Sequence, residues 1–342
     1  MAGTARAIQR VMRIDGVVLP AIIHNANYYF VNLPVYADGL VDAWELLDRR
    51  LFEAKLATGW VTTFVPDGAQ IHVHGLGAWT VDNGEWALTP RELGKLVQKC
   101  VGELNPEMAN LYDFHGKTTR KVGNVNVSIM GRSSPCAVRP KDASALPNLA
   151  RGRSLSVFSR EGDDCYLADL RVFDDGTAEV GRLPESRTVQ RDELESELSG
   201  GRLFTKPVLG QRVRIHGLGA FTVRAEGWSA EAGDLILESR DLFAELAGEP
   251  TSLQKCRARY EAFLERPTVA NRDALRQAYE AVPEHNRVYL GDMDVRDIPI
   301  RMIIYGREEV ENWSHRIVAR EQGEPKLPTI TVPDLEDSDD DT

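Results

Sequence analysis

The 342 residues are 42% hydrophobic and 27% charged, an ordinary globular composition with length enough for two or three domains. The net charge of −11 is unevenly placed: the last nine residues hold six acids, so the remainder carries only −5 and the acidity says little about the folded surface. No run approaches the ~18 apolar residues of a membrane span, and four scattered cysteines (Cys100, Cys136, Cys165, Cys256) with no CxxC pair exclude a disulfide framework or zinc cage and fit free thiols in a reducing cytoplasm.

Arg6, Arg10 and Arg13 precede the apolar run Val17–Ile23, a pattern like a signal peptide. Pro20, His24 and Asn25 and the lack of a small-residue cleavage site make it a buried strand instead. A β meander is expected over 12–50, with strands at Val17–His24, Tyr28–Tyr36 and Leu40–Leu47 and turn chemistry at Asn25–Asn27 and Ala37–Gly39. From Asp48 the pattern becomes helical, with Leu51, Phe52 and Leu56 on one face and Gly59 as a stop. Strands follow at Trp60–Phe64 and Gln70–His74, then a tight turn at Gly75-Leu76-Gly77 and a strand over Ala78–Val81. Thr89-Pro90-Arg91-Glu92 is a strong helix start, a capping box with proline at the first position, and the helix runs to about Leu104.

The stretch Ile71–Val81 (IHVHGLGAWTV) returns as Val213–Val223 (VRIHGLGAFTV), with seven of eleven positions identical. His74 and His216 lie 142 apart, as do Trp86 and Trp228, so the chain carries an internal duplication. In the second copy Cys165–Phe173 matches the central strand, Thr188–Leu198 reads as a helix, Phe204–Val208 and Gln211–His216 as strands, and Ser239–Leu246 as the closing helix. Between the copies, residues 115–160 hold nine cations and one acid, Asp142, and Val122–Met130 alternates like a strand. Beyond Pro250, helices are expected over Ser252–Glu265, Val269–Val282 and Arg307–Glu321, with an apolar run at Pro299–Tyr305. The fold class is therefore α+β: two duplicated β-rich α+β units (12–110 and 153–250) around a basic segment (111–152), followed by a helical C-terminal region (251–322) and an acidic tail (323–342) disordered by composition.

His72 and His74 share one face of a strand and can pair on a metal, but the second copy has Arg214 in place of His72. His74 and His216 then read as structural, each hydrogen-bonding the turn that Gly75, Gly77, Gly217 and Gly219 allow, with Trp79/Phe221 and Trp86/Trp228 as core shared by both copies. GLGA lacks the third glycine and the following helix of a dinucleotide loop. Asp292, Asp294 and Asp297 form a DxDxxD loop able to hold Mg²⁺ or Ca²⁺, although the calcium-loop glycine and glutamate are missing and Arg296 and Arg301 lie near enough to pair with the acids. There is no GxSxG, no HExxH and no Cys beside a His; Ser133–Cys136 reads as a turn, and Glu311 with His315 as a helical ion pair.

These residues point first to a non-enzymatic cytoplasmic interaction protein, a regulatory, immunity-type or defence-system component that binds a macromolecular, preferentially protein, partner without a cofactor. The second reading is nucleic-acid binding through Lys117, Arg120, Lys121, Arg132, Arg139 and Lys141, even though 115–160 has only Phe158, near its end, for stacking bases. The third is a metal-dependent hydrolase built on the DxDxxD loop.

Overall fold

In the computed structural model, which describes residues 8–10, 14–129, 135–140, 149–291, 296–306, 323, 332–333 and 335, the first repeat opens with β1 (Ile8–Arg10), β2 (Ile14–Asn25) and β3 (Asn27–Tyr36). β2 and β3 pair from Gly16↔Tyr36 to Asn25↔Asn27 around Ala26, so the first two expected strands form one hairpin. The third, Leu40–Leu47, is broken: β4 (Val41–Asp42) and β5 (Leu46–Leu47) fold back on each other because the chain reverses at Trp44, whose φ is +67°. Next come α1 (Arg49–Ala57), the short β6 (Val61–Thr62), β7 (Gln70–Val73), β8 (Gly77–Trp86) and α2 (Pro90–Leu104). β8 runs well past the expected Val81, because a partner strand beyond the reach of local pattern supports it. α2 starts where the sequence placed it, with Thr89 and Glu92 closing a reciprocal capping box.

Residues Val122–Met130 do not make one strand. β9 (Thr119–Val122) and β10 (Val125–Ser128) form a separate hairpin turning at Gly123, φ +60°. The second repeat follows as β11 (Cys136–Pro140), β12 (Leu149–Glu161), β13 (Asp164–Phe173), β14 (Thr177–Gly181), β15 (Arg187–Gln190), α3 (Arg191–Ser199), β16 (Leu203–Phe204), β17 (Arg212–Ile215), β18 (Gly219–Ser229) and α4 (Ala232–Ala247). Three expectations are not met, the first being the strand over Phe204–Val208, of which only β16 at Leu203–Phe204 forms. Thr188–Gln190 belongs to a strand paired with β14, and the helix starts only at Arg191; β-branched Thr188 and Val189 take the open sheet edge once it exists. α4 begins seven residues before Ser239.

The two repeats do not close into separate sheets. Strand pairing runs β13-β17-β18-β8-β7-β3-β2-β1-β11-β12, and β12 pairs back to β13, so ten strands close a barrel to which each repeat gives five. Antiparallel seams β8–β18 and β1–β11 join the copies, related by a pseudo-twofold arrangement. Alternation sorts the side chains. Ile22, Phe30, Ile71, Trp79, Val81, Phe158, Leu167, Val213, Phe221 and Val223, drawn from eight of the ten barrel strands, form one buried cluster in the interior. Their outward neighbours Ala21, Ile23, Leu33 and Val35 pack instead with Phe52 of α1 and Leu93, Val97 and Val101 of α2. Met1–Ala232 is accordingly one compact unit.

Inside the barrel, Asn32 of β3 meets Asp169 of β13 and receives the guanidinium of Arg182, which lies 4.7 Å from the Phe30 ring. Arg171 pairs with both Asp169 at 2.7 Å and Glu179 at 3.3 Å. Burial lowers the Arg182 pKa to about 10 against the opposing pull of Asp169. The arginine stays charged at neutral pH, and the row ties the two repeats at one register.

The second unit, Gly233–Thr342, holds most of α4 with α5 (Ser252–Glu265), α6 (Val269–Glu280) and α7 (Ile298–Tyr305), the last formed by the apolar run. Cys256, Phe263, Leu275, Tyr279, Val282, Ile300 and Ile303 make its core. The expected helix Arg307–Glu321 and the acidic tail lie outside the described residues. Among those described, no helix is long and apolar enough to cross a membrane.

His285 hydrogen-bonds Glu238 of α4 at 3.1 Å, and that bond raises its pKa despite burial. A raised folded-state pKa adds stability that is complete below the unfolded value of about 6.5 and is lost as pH climbs through the folded one. The full chain is therefore expected to melt at lower temperature at pH 8.5 than at pH 6, and His285→Gln to flatten that slope. An unchanged slope in the variant sinks the assignment.

Candidate functional site

The duplicated words build two matching turns. Leu76 N–H donates to Val73 O at 3.0 Å and Leu218 N–H to Ile215 O at 2.9 Å. Gly75 and Gly217 hold the left-handed third position at φ +72° and +82°, which is a glycine's place in such a turn. Leu76 and Leu218 are fully buried, whereas His74 and His216 stand exposed. The expected bond from each imidazole to the turn does not form among the described residues; backbone and glycines hold the turn without it. Trp79 and Phe221 are core as expected. The Trp86/Trp228 pair is not. Trp86 packs against Phe221, while Trp228 is 47% exposed, following a register shift in β18 that breaks the alternation. Beside the second turn lies an open depression of about 690 Å³ lined by Glu85, Trp86, Tyr166, Arg212, Arg214 and His216.

The basic segment is organised by one aspartate. Asp48 caps α1, its Oδ1 accepting from Leu51 N at 2.8 Å, while Oδ2 accepts from Phe114 N at 2.8 Å and Gly116 N at 2.9 Å. Burial pushes its pKa up, but the three backbone donors outweigh that and hold it below the usual carboxylate range. The root of the β9–β10 hairpin is thereby fixed beside Arg50. Every residue of both strands is exposed. Cross-strand register puts Arg120, Val122, Val125 and Val127 on one face and Thr119, Lys121, Asn126 and Ser128 on the other. Lys117, Arg120 and Lys121 are exposed along the hairpin segment, Arg120 and Lys121 on opposite faces, and Arg49 and Arg50 are exposed at the start of α1 beside the hairpin root. Of the other residues singled out, Arg132 and Lys141 lie outside the described residues, and Arg139 lies in β11, within the barrel.

At the other end of α1 is a group of rings that a search for local motifs misses. Tyr29 of β3 is in register with His72 of β7, ring centroids 5.1 Å apart. Trp44 meets Tyr29 edge-on at 5.1 Å and Trp60 at 5.9 Å with planes 88° apart, and Lys55 Nζ sits 3.9 Å over the Trp60 ring. Trp44 is 37% exposed. Burial lowers the His72 pKa, so the ring is neutral at neutral pH, and its Nε2 has no partner among the described residues.

The second repeat builds the same corner without these groups. Tyr29 corresponds to Tyr166, but Lys55, Trp60 and His72 correspond to Glu197, Arg202 and Arg214. There Arg187 bridges Glu161 at 3.2 Å and Glu197 at 2.6 Å, Arg202 reaches Glu161 at 3.3 Å, and Arg214 pairs with Asp164 at 2.8 Å. The fold thus does not require Lys55, Trp60 or His72 at these places. Aligning the two copies position by position is the signal that finds it.

Of the carboxylate loop, Asp292 and Asp294 lie outside the described residues. Asp297 is buried and accepts the Tyr279 hydroxyl at 2.6 Å, a bond that serves the core of the second unit. Among the described residues no three His, Cys, Asp or Glu side chains are grouped to hold a metal. Burial raises the thiols of Cys100, Cys165 and Cys256, the last two to about 12, which makes them unreactive at neutral pH.

A family model described as a domain of unknown function (DUF7638) matches the chain twice, over residues 4–108 and 146–250, and a second so described (DUF7639) matches 251–328. The two matches of the first are offset by 142 positions, the spacing of His74 and His216. No curated protein and no solved structure matches the chain.

Proposed function

The chain belongs to the DUF7638 family, and from that premise we propose that it is a non-enzymatic interaction protein whose partner is an anionic macromolecule, a nucleic acid, contacted at the corner where α1 meets the β9–β10 hairpin. The observation that carries the reading is the exposure of five cations on the two elements that Asp48 joins, Arg49 and Arg50 on α1 and Lys117, Arg120 and Lys121 on the hairpin segment, of which the last three pair with no described acid. The acids at this corner are Asp48, which is buried and taken up by backbone donors, Asp113, and Glu53, which lies 3.9 Å from Arg49 and accepts from Gln98 at 3.4 Å. Phosphate contacts made by such a corner release counterions, so affinity falls steeply with salt. A two-stranded ribbon is also a shape that enters a nucleic-acid groove.

The expected result is binding of DNA or RNA at low salt that weakens as salt rises. Reversing Lys117, Arg120 and Lys121 together to Glu abolishes it, and a single Lys121→Ala lowers the salt slope by about one. Unchanged affinity in the triple variant ends the reading.

The face of the hairpin that also carries Arg120 favours a protein partner. Val122, Val125 and Val127 are 53%, 64% and 40% exposed, an apolar face on a two-stranded ribbon too small to bury it alone. In that case Val125→Glu removes a protein crosslinked in its native cell and leaves nucleic-acid affinity untouched.

A further inference from the structure

We infer that the aromatic row of the first repeat, Tyr29, Trp44 and Trp60 with His72, is a stacking platform for the bases of a single-stranded nucleic acid whose phosphates run along α1 to the cationic hairpin. The inference rests on the nucleic-acid reading above and names which form is bound. Three observations carry it.

The first is the internal control. The second repeat makes the same strands, helix and turn while placing Glu197, Arg202 and Arg214 where the first has Lys55, Trp60 and His72, and it locks those charges into ion pairs. Tyr29, kept as Tyr166, and Trp60 also pack on the core, but the second repeat does without Trp60 and His72, and something that lies on the partly open row explains their presence in the first. The second is conformation. Trp44 has a φ of +67°, a region that a bulky side chain enters at a cost, and that backbone holds the ring against Tyr29 and Trp60 with 37% of the residue exposed. The third is charge at matching reach. From Lys55, which lies over the Trp60 ring and pairs with Glu45 at 3.5 Å, to Arg49 is six residues of helix, about 9 Å. Beyond Arg50 lies the hairpin root with Lys117, Arg120 and Lys121. Rings for bases and cations for a backbone, laid out along one short helix, are the two components of single-strand recognition. A duplex keeps its base faces stacked inside and offers the rings nothing. The buried, unpartnered Nε2 of neutral His72 adds a hydrogen-bonding group beside the rings.

The test is a titration of the full chain with fluorescently labelled single-stranded DNA and RNA and with the matching duplex, at low and moderate salt. The single strands are expected to bind more tightly than the duplex and to quench tryptophan emission. Trp44→Ala should weaken single-strand binding by roughly 5- to 100-fold, the effect of removing one stacking ring, and leave duplex binding unchanged. Trp60→Arg copies the second repeat and adds a cation, so the two explanations predict opposite signs. Stacking predicts weaker single-strand binding, whereas charge alone predicts tighter binding. The melting temperature of each variant and its retained duplex affinity show whether it is folded. Single-strand affinity equal to or above wild type in both variants overturns the platform and leaves the cationic corner standing. No binding of any nucleic acid at low salt overturns both. Equal affinity for single strand and duplex, without quenching, overturns the platform alone.

Discussion

Gly219→Ala is expected to destabilise the barrel by roughly 3 kcal/mol or more, since backbone strain and overpacking each cost 1–3 kcal/mol. Gly219 has φ +156°, and a Cβ there would lie 2.4 Å from Glu85 O and 2.9 Å from Trp86 Cα. Those atoms are backbone of β8, the strand that Gly219 faces across the seam between the repeats. A methyl group cannot be accommodated by a side-chain rotation; the partner strand must retreat and lose ladder hydrogen bonds. Gly77 stands at the equivalent place, its Cβ position 2.5 Å from Trp228 O and 2.7 Å from the Trp79 ring. The neighbouring Gly217 is the control. It also has positive φ, +82°, but its Cβ would meet only Pro20 at 3.6 Å, so Gly217→Ala should cost about 1 kcal/mol of backbone strain. Thermal denaturation separates them, with a drop of roughly 6–12 °C expected for Gly219→Ala in a unit of this size. Equal losses at the two glycines would mean that close packing at the seam is not what this glycine provides.

Asp48→Ala is expected to cost about 2–4 kcal/mol, combining loss of an N-cap with two further backbone donors left unmet. Asp48 is 1% exposed, and its three accepted bonds join the start of α1 to the root of the hairpin. The sign of the pH effect follows from its lowered pKa. The stabilisation is complete above the ordinary aspartate value of about 3.9 and is lost as pH falls through the lower folded value. The gap between wild type and variant should therefore hold at pH 7 and close on acidification below about pH 4. Releasing the root also frees the hairpin, so trypsin should cut after Lys117, Arg120 or Lys121 faster in the variant. The assignment fails if cleavage rate and stability both match wild type. This prediction ties fold to function: the carboxylate that starts the helix also sets where the cations point.

Much of the local structure was written in local chemistry. The Thr89/Glu92 box started α2, and a proline and a capping threonine separated α5 from α6. The repeated HGLG words specified turns whose glycines are needed at positive φ. The misplaced boundaries share a cause. Thr188–Gln190 reads as helix and pairs as strand, and Leu40–Leu47 reads as one strand and folds in two, because a distant edge or reversal outweighs a propensity worth a fraction of a kcal/mol per residue. The basic segment was visible as composition. Its division was not: Arg139 goes to a barrel strand, whereas Lys117, Arg120 and Lys121 go to an exposed hairpin segment.

By itself, then, the sequence determined the duplication, which two near-identical words 142 positions apart display directly, and the α+β character, the helix starts and the cation-rich insert, since each of these depends on residues close together in the chain. Only the tertiary structure decided that ten strands from two repeats close one barrel, and that Tyr29, Trp44, Trp60 and His72 come together at the end of α1. Both depend on pairing between strands far apart in the chain. Tyr29 meets His72, 43 positions further along the chain, because β3 and β7 lie side by side in register. No period or spacing along the chain encodes that adjacency; it arises when the barrel closes and the apolar faces of both repeats are buried against one another.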